Sequence, residues 1–296
     1  MNASKLVAVG RASSSIVDGE RAVRNGTALE GRGQRANWLG QGVFARARNA
    51  GLIMNDQLPD PELLHNKAWH PYCIHYPRLA SEDTYRQLAT TFPDLRYQVG
   101  RACAAARYSR LYNELDLLPD ACIAEEAREN CQGPAAEGAQ RIYERIMAAP
   151  ARYNVMNDYD RIVQEDQSKP GACLNADTQV LAFLRIRCKM EERFNTRRVF
   201  PWRYFNITED GGIDEEETDD TPYELKGSEA ALLDSPLPRD LPTAHKDLMI
   251  LAAAYEGNLD RYARLRRPGF AVKYELHCLV HGVYKSTAMA HWLDPI

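Results

Sequence analysis

The sequence predicts an all-α fold, a compact helical domain with paired helices and little or no β-sheet. Three observations lead there. Apolar residues recur at three- and four-residue spacing in several segments. Prolines and a Gly-Asn pair punctuate those segments where helices would stop. Alternating, strand-like runs are short and few.

The chain has 296 residues, 45% apolar and 26% charged, which is long enough to bury a core without disulfides or structural metal. Its net charge of −4 argues against global attraction to nucleic acid and leaves room for local basic patches. The seven cysteines include no CxxC pair, and no secretory h-region precedes them. Reduced thiols and a cytoplasmic location are therefore expected. No stretch approaches 18 apolar residues, so no membrane span or membrane partner is expected.

Residues 1–35 read as a flexible basic arm; residues 1–50 hold eight basic and three acidic residues. A helical domain is expected over 36–205. It begins with a short helix running through Trp38, Phe44 and Leu52. Pro61 suits the first turn of a helix start at 58–64. The aromatic-rich segment around Trp69, His70, Tyr72 and His75 reads as packing or as pocket lining. Ser81 is a plausible N-cap, with Glu82 and Asp83 in the first turn of a helix that Pro93 ends. Residues 94–118 are helical, and a turn near Tyr108-Ser109 divides them into a pair. Further helices fall at about 120–130 and 137–149, the latter with Ile142, Ile146 and Met147 on one face. Residues 171–179 read as a loop, and an amphipathic helix begins at Val180.

Residues 206–242 form an acidic loop and a Pro-rich connector. Eight of the twelve residues from 209 to 220 are acids, too many to bury unpaired. Helix pairs are expected over 243–296. Thr243 reads as an N-cap, and Leu248, Leu251, Ala252 and Tyr255 read as the core face of the first helix. Gly257-Asn258 forms the turn, and Leu259, Tyr262 and Leu265 form the apolar face of the second helix.

The segment DLMILAAAYEGNLDRYARLRRPG resembles an ankyrin repeat, with its Leu-x-x-Ala-Ala core, Gly-Asn-Leu turn and short second helix. Residues 274–293 and 95–115 read as degenerate units of the same kind. The acidic DDTPYE stretch followed by LPTAHKDLMILAAAYEGNLDRYARLRRP is similar to the fungal arginine-containing cyclodipeptide synthases. The resemblance implies a tRNA-dependent enzyme that uses arginyl-tRNA and a second aminoacyl-tRNA, with no metal or redox cofactor. The family's acidic motif is DDxxE, and here three residues separate Asp220 from Glu224.

On that resemblance the catalytic candidates are Asp219, Asp220, Glu224 and His245. The carboxylates suit a guanidinium, an α-amine or Mg²⁺, or they belong to a solvated loop. No sequence signature marks a nucleophile; Ser228, Ser235 and Cys278 are the nearby hydroxyls and thiol. His277 and His281 share a helical face, without a metal-hydrolase signature. Two basic patches would meet tRNA phosphates. One includes Arg185, Arg187, Lys189, Arg193, Arg197 and Arg198; the other, over 261–267, includes Arg264 and Arg267. The alternative is a non-catalytic helical module whose partner is a protein.

Overall fold

Helix-breaking residues set the element boundaries. The structure is a computed structural model that describes residues 33–133, 136–178, 227–268, 271–272 and 274–293. Its first six helices are α1 (Gly33–Met54), α2 (Glu82–Thr91), α3 (Arg96–Ala106), α4 (Ser109–Glu114), α5 (Ala121–Glu129) and α6 (Glu137–Met147). A small antiparallel ribbon follows, β1 (Met156–Asn157) with β2 (Ile162–Val163), paired Met156 to Val163. Beyond residue 226 come α7 (Gly227–Asp234), α8 (Lys246–Glu256), α9 (Leu259–Leu265), α10 (Glu275–Lys285) and α11 (Thr287–Leu293). The fold is all-α, as expected, and the ribbon is the only sheet among the described residues.

The first core is built around α3. Every residue from Tyr97 to Ala104 is buried, so α3 is enclosed on all sides by α2, α4, α5 and α6. Small residues make this enclosure feasible. A Cβ on Gly100 would lie 2.4 Å from the Leu117 side chain, and one on Gly138 would lie 2.0 Å from the Arg107 carbonyl oxygen. Arg107, with φ of 67°, closes α3 in left-handed geometry before α4 begins, which is the predicted division of 94–118. Ser81 caps α2 as expected, its Oγ accepting from the Thr84 N–H at 3.3 Å. Leu95, Leu111, Ile123, Ile142 and Ile146 are fully buried, each stabilising the fold by about 1.5–3 kcal/mol.

The second core gathers Leu241, Met249, Ile250, Ala253, Ala254, Tyr262, Leu265, Leu279 and Met289. Two helix pairs, α8–α9 and α10–α11, supply most of it. Gly257 turns the chain with φ of 69°, and the Asn258 side chain accepts from the Arg261 N–H at 3.1 Å to cap α9. Gly282 lets α10 approach the end of α8: a Cβ there would lie 2.0 Å from the Ala254 carbonyl oxygen.

Two details of α8 differ from the sequence expectation. Its N-cap residue is His245, not Thr243; the His245 N–H donates to Glu229 Oε1 at 3.0 Å. Its buried face is Lys246, Met249, Ile250, Ala253 and Ala254. Leu248, Leu251 and Ala252 are half-buried and Tyr255 is exposed. The helix is apolar on both sides, so periodicity alone could not say which stripe meets the core.

Polar contacts brace the first core and fasten it to the second. The Asp120 carboxylate caps α5 through the Ile123 N–H (2.9 Å) and takes the Val155 and Met156 N–H groups (2.8 and 3.0 Å). Arg152 pairs with Asp240, which also accepts from the Leu174 N–H at 2.9 Å. Arg128 donates to the Leu241 carbonyl at 2.6 Å.

Candidate functional site

Arg101 lies near the middle of α3 and is completely buried. A guanidinium there demands acceptors, because an unpaired buried charge costs several kcal/mol. It donates from Nη1 to Asp158 Oδ1 (2.5 Å), from Nη2 to Asp158 Oδ2 (3.2 Å) and from Nε to Glu126 Oε2 (3.1 Å). Asp158, just after β1, also accepts from the Tyr72 hydroxyl at 2.5 Å. Glu126 on α5 meets His75 Nε2 at 3.3 Å. On the other side of the ring, His75 Nδ1 lies 3.8 Å from Cys73 Sγ. Six side chains thus form one continuous buried chain, in the order Cys73, His75, Glu126, Arg101, Asp158 and Tyr72.

The charges in this chain reinforce one another. Burial disfavours the imidazolium, but the Cys73 sulfur and the Glu126 carboxylate outweigh it and push His75 up to about 10. Burial likewise opposes ionisation of Glu126, yet His75 and Arg101 hold its carboxyl down to about 2. Burial, with Asp158 beside it, raises the Tyr72 phenol well above its usual range, so Tyr72 donates its proton rather than losing it.

A second buried cluster lies by the second core. Asp177 pairs with Lys246 (3.2 Å) and with Arg267, and Arg267 Nη1 also reaches Asp247 at 2.5 Å. Burial lowers the Lys246 amine, with Asp177 opposing. Glu125 on α5 pairs with Arg128 and accepts the Asn175 N–H. Burial pushes its carboxyl up to about 7, with Arg128 opposing.

The candidates from sequence fall in different places. Asp219, Asp220, Glu224, Arg185, Arg187, Lys189, Arg193, Arg197, Arg198 and the amphipathic helix from Val180 lie outside the described residues. His245 stands half-buried at the start of α8. The patch over 261–267 is not one solvated face. Arg267 is buried between carboxylates, which corrects its reading as a phosphate contact: an interior guanidinium held by Asp177 and Asp247 presents nothing to a surface ligand. Arg264 is exposed, but its donors serve the carbonyls of Leu237 (2.9 Å), Pro238 and Arg239 (2.8 Å). Arg261 likewise holds the carbonyls of Leu232 and Ser235. Both arginines fasten the Pro-rich connector and the end of α7 to α9.

His277 and His281 pack edge to face with centroids 4.8 Å apart, and His281 also meets Tyr255 at 5.0 Å. No group of three or more His, Cys, Asp or Glu is placed to hold a metal ion among the described residues. No helix among them is long and apolar enough to cross a membrane. An open, mostly apolar groove of about 400 Å³ runs along the outer face of α8, lined by Leu233, Leu248, Leu251, Ala252, Tyr255, Glu256 and Cys278.

Sequence reasoning missed Cys73, Arg101, Glu126, Asp158, Asp177 and Lys246 as site residues. Two signals were available. Cys73 and His75 are two apart in sequence, close enough for their side chains to meet. Arg101 stands in VGRACAAA, a run otherwise small and apolar, where a helix enclosed on all sides needs a buried counter-charge.

A family model described as the YKP1 C-terminal domain matches residues 75–183. The match takes in α2 to α6, the ribbon and, of the network, His75, Arg101, Glu126 and Asp158. No curated protein and no solved structure matches the chain.

Proposed function

We propose that this chain is a tRNA-dependent cyclodipeptide synthase that joins arginine from arginyl-tRNA to a second aminoacyl group and releases a diketopiperazine. The observation that carries this reading is the stretch Asp219–Pro268, where DDTPYE precedes the helix pair α8–α9. In this reading Asp219, Asp220 and Glu224 bind the arginine guanidinium or the attacking amine, whose charge and donors match carboxylates. His245, a few residues beyond the connector, moves a proton. Arg185, Arg187, Lys189, Arg193, Arg197 and Arg198 meet tRNA phosphates, together with the exposed edge of Arg264. The reaction is two acyl transfers, which depend on positioning and on proton movement.

The test is direct. Purified protein supplied with charged tRNAs forms an arginine-containing diketopiperazine, detected by mass spectrometry. Asp219→Ala and Glu224→Ala abolish the product while circular dichroism stays unchanged; full activity in both would remove the acidic residues from the mechanism.

The groove on α8 favours a second reading, a helical module that binds a protein. A chain that yields no product from any charged tRNA, and whose interactions are lost in Leu248→Asp and Leu251→Asp variants, would replace the first reading with this one.

A further inference from the structure

The reaction proposed above can run through an acyl-enzyme, and none of the residues assigned so far is a nucleophile. Cys73, His75 and Glu126 stand in the order that nucleophilic acyl transfer uses: sulfur, imidazole, carboxylate. The sulfur faces Nδ1 at 3.8 Å and the carboxylate faces Nε2 at 3.3 Å. The first separation is long, as nucleophile–base contacts often are before substrate binds. Glu126 is in turn held by Arg101, and Arg101 by Asp158, so the ring is oriented through three successive buried contacts. Such depth of support is what a precisely aimed imidazole requires.

We propose that Cys73 is the acyl acceptor of this chain, with His75 as its proton carrier and Glu126 positioning the His75 ring. The inference rests on the acyl-transfer reading above. At the outset His75 Nδ1 already holds the proton it shares with Cys73, so the sulfur reacts as the thiolate of a Cys73–His75 ion pair. The sulfur attacks the ester carbonyl of the aminoacyl-tRNA; a C–S bond forms, the C–O bond to the ribose breaks, and the ribose oxygen takes the proton from His75. In the second step the amine of the other aminoacyl-tRNA attacks the thioester carbonyl. A C–N bond forms, the C–S bond breaks with the sulfur leaving as thiolate, and the amine proton returns to His75. The free amine of the resulting dipeptidyl-tRNA then attacks its own ester carbonyl. That closes the ring and frees the second tRNA, with no oxidant or reductant consumed.

Cys73 is fully buried, so the donor reaches it only when the chain over it moves aside. The segment between α1 and α2 would have to move, breaking the hydrogen bonds from Arg46 to the Ala68 carbonyl and from Asn49 to the Trp69 carbonyl (3.1 Å each). It holds two short 3-10 turns, Pro61–Leu64 and Lys67–Trp69, and it exposes His65–Ala68 on one side of Cys73 and Pro77–Leu79 on the other.

Two measurements test the assignment on the full chain. In the first, wild type, Cys73→Ala and Cys73→Ser are incubated with arginyl-tRNA and the second aminoacyl-tRNA, with folding checked by thermal melting. Product from wild type, its loss in both folded variants, and an acid-stable arginyl adduct on the Cys73 peptide are expected. Product at the wild-type rate from the folded variants overturns Cys73 and leaves the synthase reading intact. In the second, p-nitrophenyl acetate replaces tRNA, and acetylation of the Cys73 peptide is compared with that of the exposed Cys173. Cys73 is expected to label with a stoichiometric burst, slowed roughly 100-fold or more in His75→Asn. In Glu126→Gln the pH midpoint of labelling is expected to shift, which loss of packing alone would not produce. Labelling here without diketopiperazine in the first measurement separates a sound acyl acceptor from a failed synthase reading. If Cys73 takes no acyl group from either donor, the proposal is overturned.

Discussion

Arg101 shows how a single residue commits the surrounding core. Its three donor contacts engage two carboxylates from different elements, so replacing it takes a guanidinium from both and leaves Glu126 with His75 and Asp158 with the Tyr72 hydroxyl. Arg101→Met is expected to cost about 3–5 kcal/mol in urea unfolding, because Asp158 loses its guanidinium inside the core and Glu126 loses one of its two cationic partners. Arg101→Lys recovers only part of that, since an ammonium lacks the planar fork that spans both acids. The same network makes stability pH-dependent with a definite sign. Glu126, at about 2 against an ordinary 4.5, contributes fully above pH 4.5, and its contribution is lost as pH falls toward 2. His75, at about 10 against 6.5, contributes fully below pH 6.5, and its contribution is lost as pH rises through 10. Each limb has a slope of about 1.4 kcal/mol per pH unit. Asp120 and Glu125, raised by burial to about 6 and about 7, make stability fall as pH rises toward those values, opposite in sign to the Glu126 limb and the same in sign as the His75 limb. The limbs are therefore read as wild type minus variant: Glu126→Gln is expected to remove the acid limb and His75→Asn the alkaline one.

Among the elements, α8 and α10 depend on a close approach of backbones that only glycine permits. Gly282→Ala places a methyl group against the Ala254 carbonyl and is expected to cost about 1–3 kcal/mol in thermal or urea unfolding. Gly51→Ala, where a Cβ meets nothing within 4 Å, is the matched control and is expected to be neutral or slightly stabilising. The helices themselves were largely legible. Ser81, the turn at Arg107–Tyr108 and Gly257-Asn258 mark boundaries by local chemistry that holds whatever the neighbours are. The facing of α8 was not legible. Leu248, Leu251 and Ala252 are as apolar as Met249, Ile250 and Ala253, and only the positions of α9 and α10 decide between the two stripes.

Across the whole molecule, charge that looked like surface in the sequence proves to be joinery. Arg267→Ala is expected to destabilise the protein by about 3–5 kcal/mol, since it leaves Asp177 and Asp247 without their guanidinium. Arg264→Ala, whose partners are exposed carbonyls, is expected to cost no more than about 1.5 kcal/mol. A denaturation comparison checks this ranking, and equal effects would contradict the separation of the two residues into interior and exterior. Sequence by itself determined the all-α class, most described helix boundaries and the helix–turn–helix pairing near the C-terminus, because propensity, capping and periodicity act over a few neighbouring residues. Tertiary structure decided which α8 stripe is buried, which arginines lie inside, and that Cys73, His75, Glu126, Arg101, Asp158 and Tyr72 form one network. Those six come from positions up to 86 residues apart, such as Tyr72 and Asp158. Their pairing follows from the burial of α3, where a charge without a partner could not be sustained.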